Sequence, residues 1–277
     1  MTDPAQQRPW TYDDLCEDLR TSCRVRAGDV LILHSSQDAI GRVEGGVVTT
    51  IRVLKEVITP AGTLLLPAFS RPRPDGIFKV RRTPSRVGLV TDAFRRSQDV
   101  RRSLHPTHSV TAWGRRRDEF LAGHERTSGL GVDSPFHKAA KAGADVLMIG
   151  CDFTTLSLVH VAEAVVRVPY LGQVAYAGYE RPLTLIDYDG NAHEVPPKDN
   201  PTDSAAFTKV QEAMERRGRL QHGKVGSAPC LKFSAAEALE AAVEMLREDP
   251  AVLLCENPRC PVCPPARKIV EQSLAGP

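Results

Sequence analysis

Residues 145–150 (DVLMIG) form an apolar run too short for a helix, with Gly143 in front and Gly150 at its end, the pattern of a buried strand. Around it, residues 134–170 read as a helix, that strand, a short loop and a second helix over 157–166. In the second helix Leu158, Val161, Ala162 and Val165 recur at helical spacing. His160 and Glu163 are three residues apart and share one face of it. An imidazole and a carboxylate just beyond a buried strand stand where an α/β protein usually keeps its chemistry. A helix-surface ion pair is the alternative at this spacing.

The same alternation runs along the chain. Thr11 and Asp14 form a capping box before a first helix. A strand over 30–34 (VLILH) leads through the polar, glycine-bearing loop SSQDAIGRVEGG into a helix over 47–58. That layout offers backbone N–H groups to a phosphate or amide, although it is neither a Walker motif nor a dinucleotide fingerprint, and a plain structural loop fits it too. After the turn at 59–62 comes a second buried strand, TLLLP, and then a long loop rich in Pro and Arg. Helices follow over 88–96, 204–217 and 234–247, the last capped by Ser234 with Glu237 at its third position. The segment 182–195 reads as a β-region turning at Asp189 and Gly190, and 218–226 as a glycine-rich turn. These features predict an α/β layered sandwich around a largely parallel central sheet, with a smaller β-region and C-terminal helices. With no repeat and no dividing linker, residues 1–277 are expected to form a single domain.

A net charge of +2 gives no case for a general nucleic-acid or membrane binder. No apolar run approaches a membrane span, and the first residues lack the layout of a signal peptide, so a cytoplasmic protein is expected. Seven unevenly placed cysteines argue against a secreted disulfide framework. His105 and His108 lack a third metal ligand at usable spacing and are expected to be hydrogen-bonded within the fold.

The order of segments resembles the aminoglycoside 3-N-acetyltransferases, which transfer acetyl from acetyl-CoA to an amine. GDVLILHSSQDAIGRVEGG is similar to the family's opening strand and CoA-facing loop, PAGTLLLPAFS to its second strand, and RRSLHPTHSVTAWG to its Arg-Ser, His-Pro, Ser and Gly pattern. SPFHKAAKAGADVLMIG precedes the H-x-x-E helix, and GKVGSAPC and the cysteine-bearing tail also have counterparts. The resemblance implies a fold distinct from the GNAT acetyltransferases and direct transfer with no covalent enzyme intermediate. It implies His160 as general base, because an ammonium cannot attack a thioester, with Glu163 orienting the ring or meeting the substrate. His34, Ser35, Ser36, Gly41, Val43, Gly45, Gly46, Ser109 and Val110 are the implied CoA-side residues, and Asp75, Asp152, Asp199 and Asp203 the implied acceptor-side ones. Acetyl-CoA is then a co-substrate, no metal is required, and the partners are a small-molecule amine and acyl-CoA, with the protein a monomer or homodimer. Cys151 is the rival nucleophile.

Two features depart from the pattern. The loop after the second strand is basic, with Asp75 its only carboxylate, where aminoglycoside-binding members carry acidic residues. The acidic residue important in some members falls near Pro201. Another amine from a biosynthetic pathway is therefore an alternative acceptor. A competing class is a non-catalytic, metal-stapled binding protein, suggested by Cys255, Cys260 and Cys263, three soft ligands without an evident fourth. Reduced thiols packing a proline-rich turn explain the same cluster.

Overall fold

The computed structural model describes residues 8–196 and 202–275. In chain order its strands are β1 (Val30–Ser35), β2 (Thr63–Pro67), β3 (Ile77–Lys79), β4 (Arg101–Arg102), β5 (Val110–Gly114), β6 (Asp145–Ile149), β7 (Leu183–Ile186), β8 (Ala192–Val195), β9 (Gln221–Val225) and β10 (Ala228–Ser234). Its α-helices are α1 (Tyr12–Glu17), α2 (Gln37–Ile40), α3 (Gly46–Ile58), α4 (Leu89–Arg95), α5 (Arg117–Leu121), α6 (Pro135–Lys141), α7 (Val159–Val166), α8 (Thr208–Arg216), α9 (Ala235–Glu248) and α10 (Cys263–Leu274).

Seven strands make one sheet in the order β4-β5-β2-β1-β6-β10-β9. Its centre is parallel: Leu31 of β1 lies opposite Leu64 of β2 on one side and Asp145 of β6 on the other. Antiparallel strands extend both flanks, β5 against β2 and β10 against β6. The apolar runs of the centre are continuous because both faces are covered. Leu31, Leu33, Leu64, Leu66, Leu147 and Ile149 point to the layer built by α1, α3 and α4. Ile32, Leu65, Val146 and Met148 point to the opposite layer, with Phe136 of α6 and the buried faces of α7, α8, α9 and α10. Each fully buried side chain of this size contributes roughly 1.5–3 kcal/mol, so the two layers fix which ends of the strands stay open. The expected α/β sandwich is thus what the chain adopts, and the smaller β-region is a second sheet, β3-β7-β8. No helix among the described residues is long and apolar enough to cross a membrane.

Three segments differ from the sequence expectation. The glycine-rich turn at 218–226 is instead strand β9 of a hairpin whose partner, β10, sits directly against β6. Its strand character is hidden because Gly223 occupies a strand position where a Cβ would meet the Ser22 carbonyl at 2.6 Å. Lys232 in β10 is ion-paired with Asp29 and Asp145, each at 3.1 Å, so a charge interrupts the apolar pattern without breaking the strand. Within the Arg-rich loop, β3 pairs in parallel with β7. The proline-rich tail becomes α10, because Pro264 and Pro265 fall in its first turn, where a missing N–H has no helical partner to lose.

Candidate active site

The parallel strands β1, β2 and β6 all end at one edge of the sheet, and a cavity of about 400 Å³ opens there. His34 and Ser35 border it from β1, Pro67 from β2, Cys151 from the loop after β6, and His160 from α7. This is the edge at which α/β sheets place their ligands.

On α7 the i,i+3 spacing brings His160 Nδ1 to 2.8 Å from Glu163 Oε2. Glu163 is 1% exposed, and its other oxygen accepts from the hydroxyls of Tyr170 (3.0 Å) and Thr202 (2.8 Å). The pair is therefore internal, not a surface ion pair. A carboxylate that accepts at Nδ1 assigns the imidazole proton there and leaves Nε2 as the basic nitrogen. Phe207 packs edge-on against the ring with centroids 4.6 Å apart, which further limits its rotation. Burial, together with the Glu163 carboxylate, drives the Tyr170 phenol far above its usual range, so it serves purely as a donor.

Two more imidazoles border the cavity. Burial holds His34 down at about 4, and burial followed by the nearby His160 and His124 holds His108 at about 3, so both are neutral near pH 7. His34 Nε2 is buried with no hydrogen-bond partner among the described residues. His108 Nδ1 meets the Thr107 hydroxyl at 2.9 Å, and His105 Nδ1 accepts from the His108 backbone at 3.0 Å, the internal bonding expected of this pair. Burial pushes the Cys151 thiol up, against a smaller opposing contribution from Thr155, which disfavours the thiolate a nucleophile needs.

The remaining candidates separate into groups. Ser36 caps α2 by accepting from Ala39 N at 3.2 Å, and its own N–H reaches the Ile149 carbonyl, locking β1 to β6 at the cavity rim. The loop beyond it turns through Gly41, and Gly45 and Gly46 open α3 with positive φ and no side-chain cap. Val43 is buried and bridges to Trp10. Ser109 and Val110 do not border the cavity. Val110 lies in the core, while the Ser109 hydroxyl donates to the Ala68 carbonyl and accepts from the buried Arg102. Asp75 is engaged by Arg73 and the Ile77 N–H at a distance from the cavity lining. Asp152 caps a turn at Thr154 N and borders a separate open depression with Glu212 and Glu215. Asp203 accepts from Ala205 N and from Tyr176. Asp199 lies outside the described residues. Sequence reasoning missed Tyr170, Thr202 and Phe207. None left a local signal: Tyr170 lies seven residues beyond Glu163, but α7 ends at Val166 with Arg167 left-handed, so no helical period connects the two.

Fold and site together are those of an α/β enzyme. The chain belongs to the aminoglycoside 3-N-acetyltransferase family of acyltransferases, whose model matches residues 32–247. A relative, the SPbeta prophage-derived aminoglycoside N(3')-acetyltransferase-like protein YokD of Bacillus subtilis (strain 168), is 31% identical over 84% of this chain and 91% of its own length. The YokD crystal structure superposes with a TM-score of 0.76 over 89% of this chain and 97% of that one. A mutant of aminoglycoside acetyltransferase AAC(3)-IVa in complex with gentamicin shares the fold at a TM-score of 0.81, with 24% identity over 95% of this chain and 98% of that one. AAC-IIIb, solved as a binary complex with CoASH, does so at 0.71, with 24% identity over 87% and 97% of the two chains.

Proposed function

We propose that the protein transfers an acetyl group from acetyl-CoA to the 3-amino group of the deoxystreptamine ring of an aminoglycoside, with His160 as general base. The observation that carries this reading is the 2.8 Å contact between His160 Nδ1 and Glu163 Oε2 beside an open cavity. With Nδ1 so engaged, Nε2 takes the proton from the attacking amine. The new bond is C–N and the broken bond C–S. The proton held on the imidazole then passes to the departing CoA sulfur, so the base returns to its starting state and no covalent enzyme intermediate forms.

The donor side is read from β1, α2 and α3. The uncapped start of α3 at Gly46 suits an anion or amide of CoA, and His34 Nε2 is a buried polar atom that a bound thioester or amide can partner. The family match, and the gentamicin and CoASH carried by two proteins of this fold, support the assignment of acceptor and donor.

A second reading rests on a specific observation: among the described residues no carboxylate borders the 400 Å³ cavity, whereas Asp152, Glu212 and Glu215 border the separate depression. An N-acyltransferase acting on a less cationic amine would need no acidic lining. Mass spectrometry of a panel of aminoglycosides and simpler amines after incubation with acetyl-CoA separates the two. One acetyl gained on an aminoglycoside, and lost by roughly 10²–10⁴-fold in His160→Ala, is the expected result. Acetylation confined to simple amines selects the second reading, and unchanged activity in His160→Ala removes the imidazole from the chemistry.

A further inference from the structure

The sulfur atoms of Cys255, Cys260 and Cys263 all lie within 4.8 Å of one another, and all three residues are buried. A tetrahedral zinc with Zn–S bonds of about 2.3 Å separates its sulfurs by about 3.8 Å, so the thiols already stand near the edges of such a polyhedron. They come from two pieces of chain, the loop before Cys260 and the first turn of α10, which begins at Cys263. The backbone N–H of Cys263 donates to Cys260 Sγ at 3.4 Å, a bond that favours a thiolate, and the N-terminal end of a helix adds a favourable field for negative sulfur. Nothing in the acetyl-transfer mechanism uses these residues.

We propose that Cys255, Cys260 and Cys263 hold a zinc ion that staples the start of α10 to the loop before it. Among the described residues no further His, Cys, Asp or Glu donor joins the three sulfurs, so a water completes the tetrahedron. Tyr176, whose ring packs against the same core as the three cysteines, donates its hydroxyl to the Asp203 carboxylate at 3.5 Å. On either side of Asp203 are Thr202, which donates to Glu163, and Ser204, which borders the cavity. Zinc would enter as the divalent ion and displace the thiol protons to solvent, with no change of redox state. Buried and outside the cavity lining, the site is structural, and its effect on catalysis runs through Tyr176 and Asp203 to the position of Thr202.

The test measures zinc in wild-type protein purified without chelator, and then cobalt binding to the stripped protein. About one equivalent of zinc is expected, falling to less than about a tenth in Cys260→Ser and Cys263→Ser. Cobalt added to stripped wild type should give the intense near-ultraviolet bands of thiolate-to-metal charge transfer, a readout that requires no variant to fold. Stripping should lower the melting temperature by roughly 5–10 °C, and zinc should restore it. Less than about a tenth of an equivalent in wild type with no cobalt–thiolate bands overturns the proposal. So does a mass two hydrogens short, which would show a disulfide within the cluster. Metal content is read without any substrate, so its failure is distinct from failure of the acetyltransferase assignment.

Discussion

Glu163 divides its two oxygens, giving Oε2 to His160 Nδ1 at 2.8 Å and Oε1 to Tyr170 and Thr202 at 3.0 and 2.8 Å. One oxygen orients the base, and the other is saturated by hydroxyl donors, so the carboxylate is fixed at both ends.

Glu163→Gln keeps the size of the side chain but can present an amide N–H to Nδ1. That would favour the tautomer with its proton on Nε2, which cannot accept another from an amine. The variant should lose ~10–10³-fold in kcat while its KM for acetyl-CoA changes little. Steady-state kinetics with each substrate varied in turn decide this, and an unchanged kcat would leave Glu163 with a purely structural part.

Tyr170→Phe and Thr202→Val each remove one donor from a carboxylate that is 1% exposed. Each should destabilise the protein by about 1–3 kcal/mol in urea denaturation. Because both act on the same oxygen, the double variant should depart from the sum of the singles by more than about 0.5 kcal/mol. Strict additivity would show that the two hydroxyls do not share an acceptor in solution.

Acid should destabilise the fold through its neutral imidazoles. His34 and His124, at about 4, and His108, at about 3, lie below the ordinary 6.5, in each case chiefly through burial. Between those values and 6.5 the unfolded chain binds protons that the folded chain does not, so stability is fully present above about pH 6.5 and falls as the pH drops towards 4 or 3. Each residue would contribute on the order of 3 kcal/mol over that window. NMR of the imidazole C–H resonances is the direct check: resonances of these residues that titrate near pH 6.5 would contradict their burial as neutral rings.

Gly150 ends β6 with φ +67°, and a Cβ there would lie 2.3 Å from that of Ala39 in α2. Gly150→Ala should therefore cost about 2–4 kcal/mol and push α2 away from the cavity rim. Titration calorimetry with CoA should show weakened binding alongside the lowered denaturation midpoint. Wild-type affinity in a folded variant would mean that α2 takes no part in holding the donor.

The central strands were legible because both of their faces are buried, which leaves unbroken runs such as VLILH and TLLLP. The His160–Glu163 pair was legible from helical spacing alone. What surrounds Glu163 was not, since Thr202 reaches it across 39 residues through tertiary folding that no local period encodes. Strand β10 was obscured for a different reason: Pro229 and Lys232 look out of place in a strand beside the sheet centre. The lysine is tolerated there because Asp29 and Asp145 neutralise it from neighbouring parts of the chain. Acidic residues nominated for the acceptor side could not be ranked from sequence because Asp75, Asp152 and Asp203 are each spent on local turns.

Strand β10 also sets the order in which the protein can be completed on the ribosome. Until residues 228–234 emerge, β6 has β1 on one side and an open row of backbone donors and acceptors on the other. The strand leading to Cys151 at the cavity is thus an unprotected edge for much of synthesis, prone to pairing with other nascent chains. Chains cut before the hairpin should accumulate as aggregates and not as partly active enzyme, and slow release of the C-terminal segment should lower the yield of native protein.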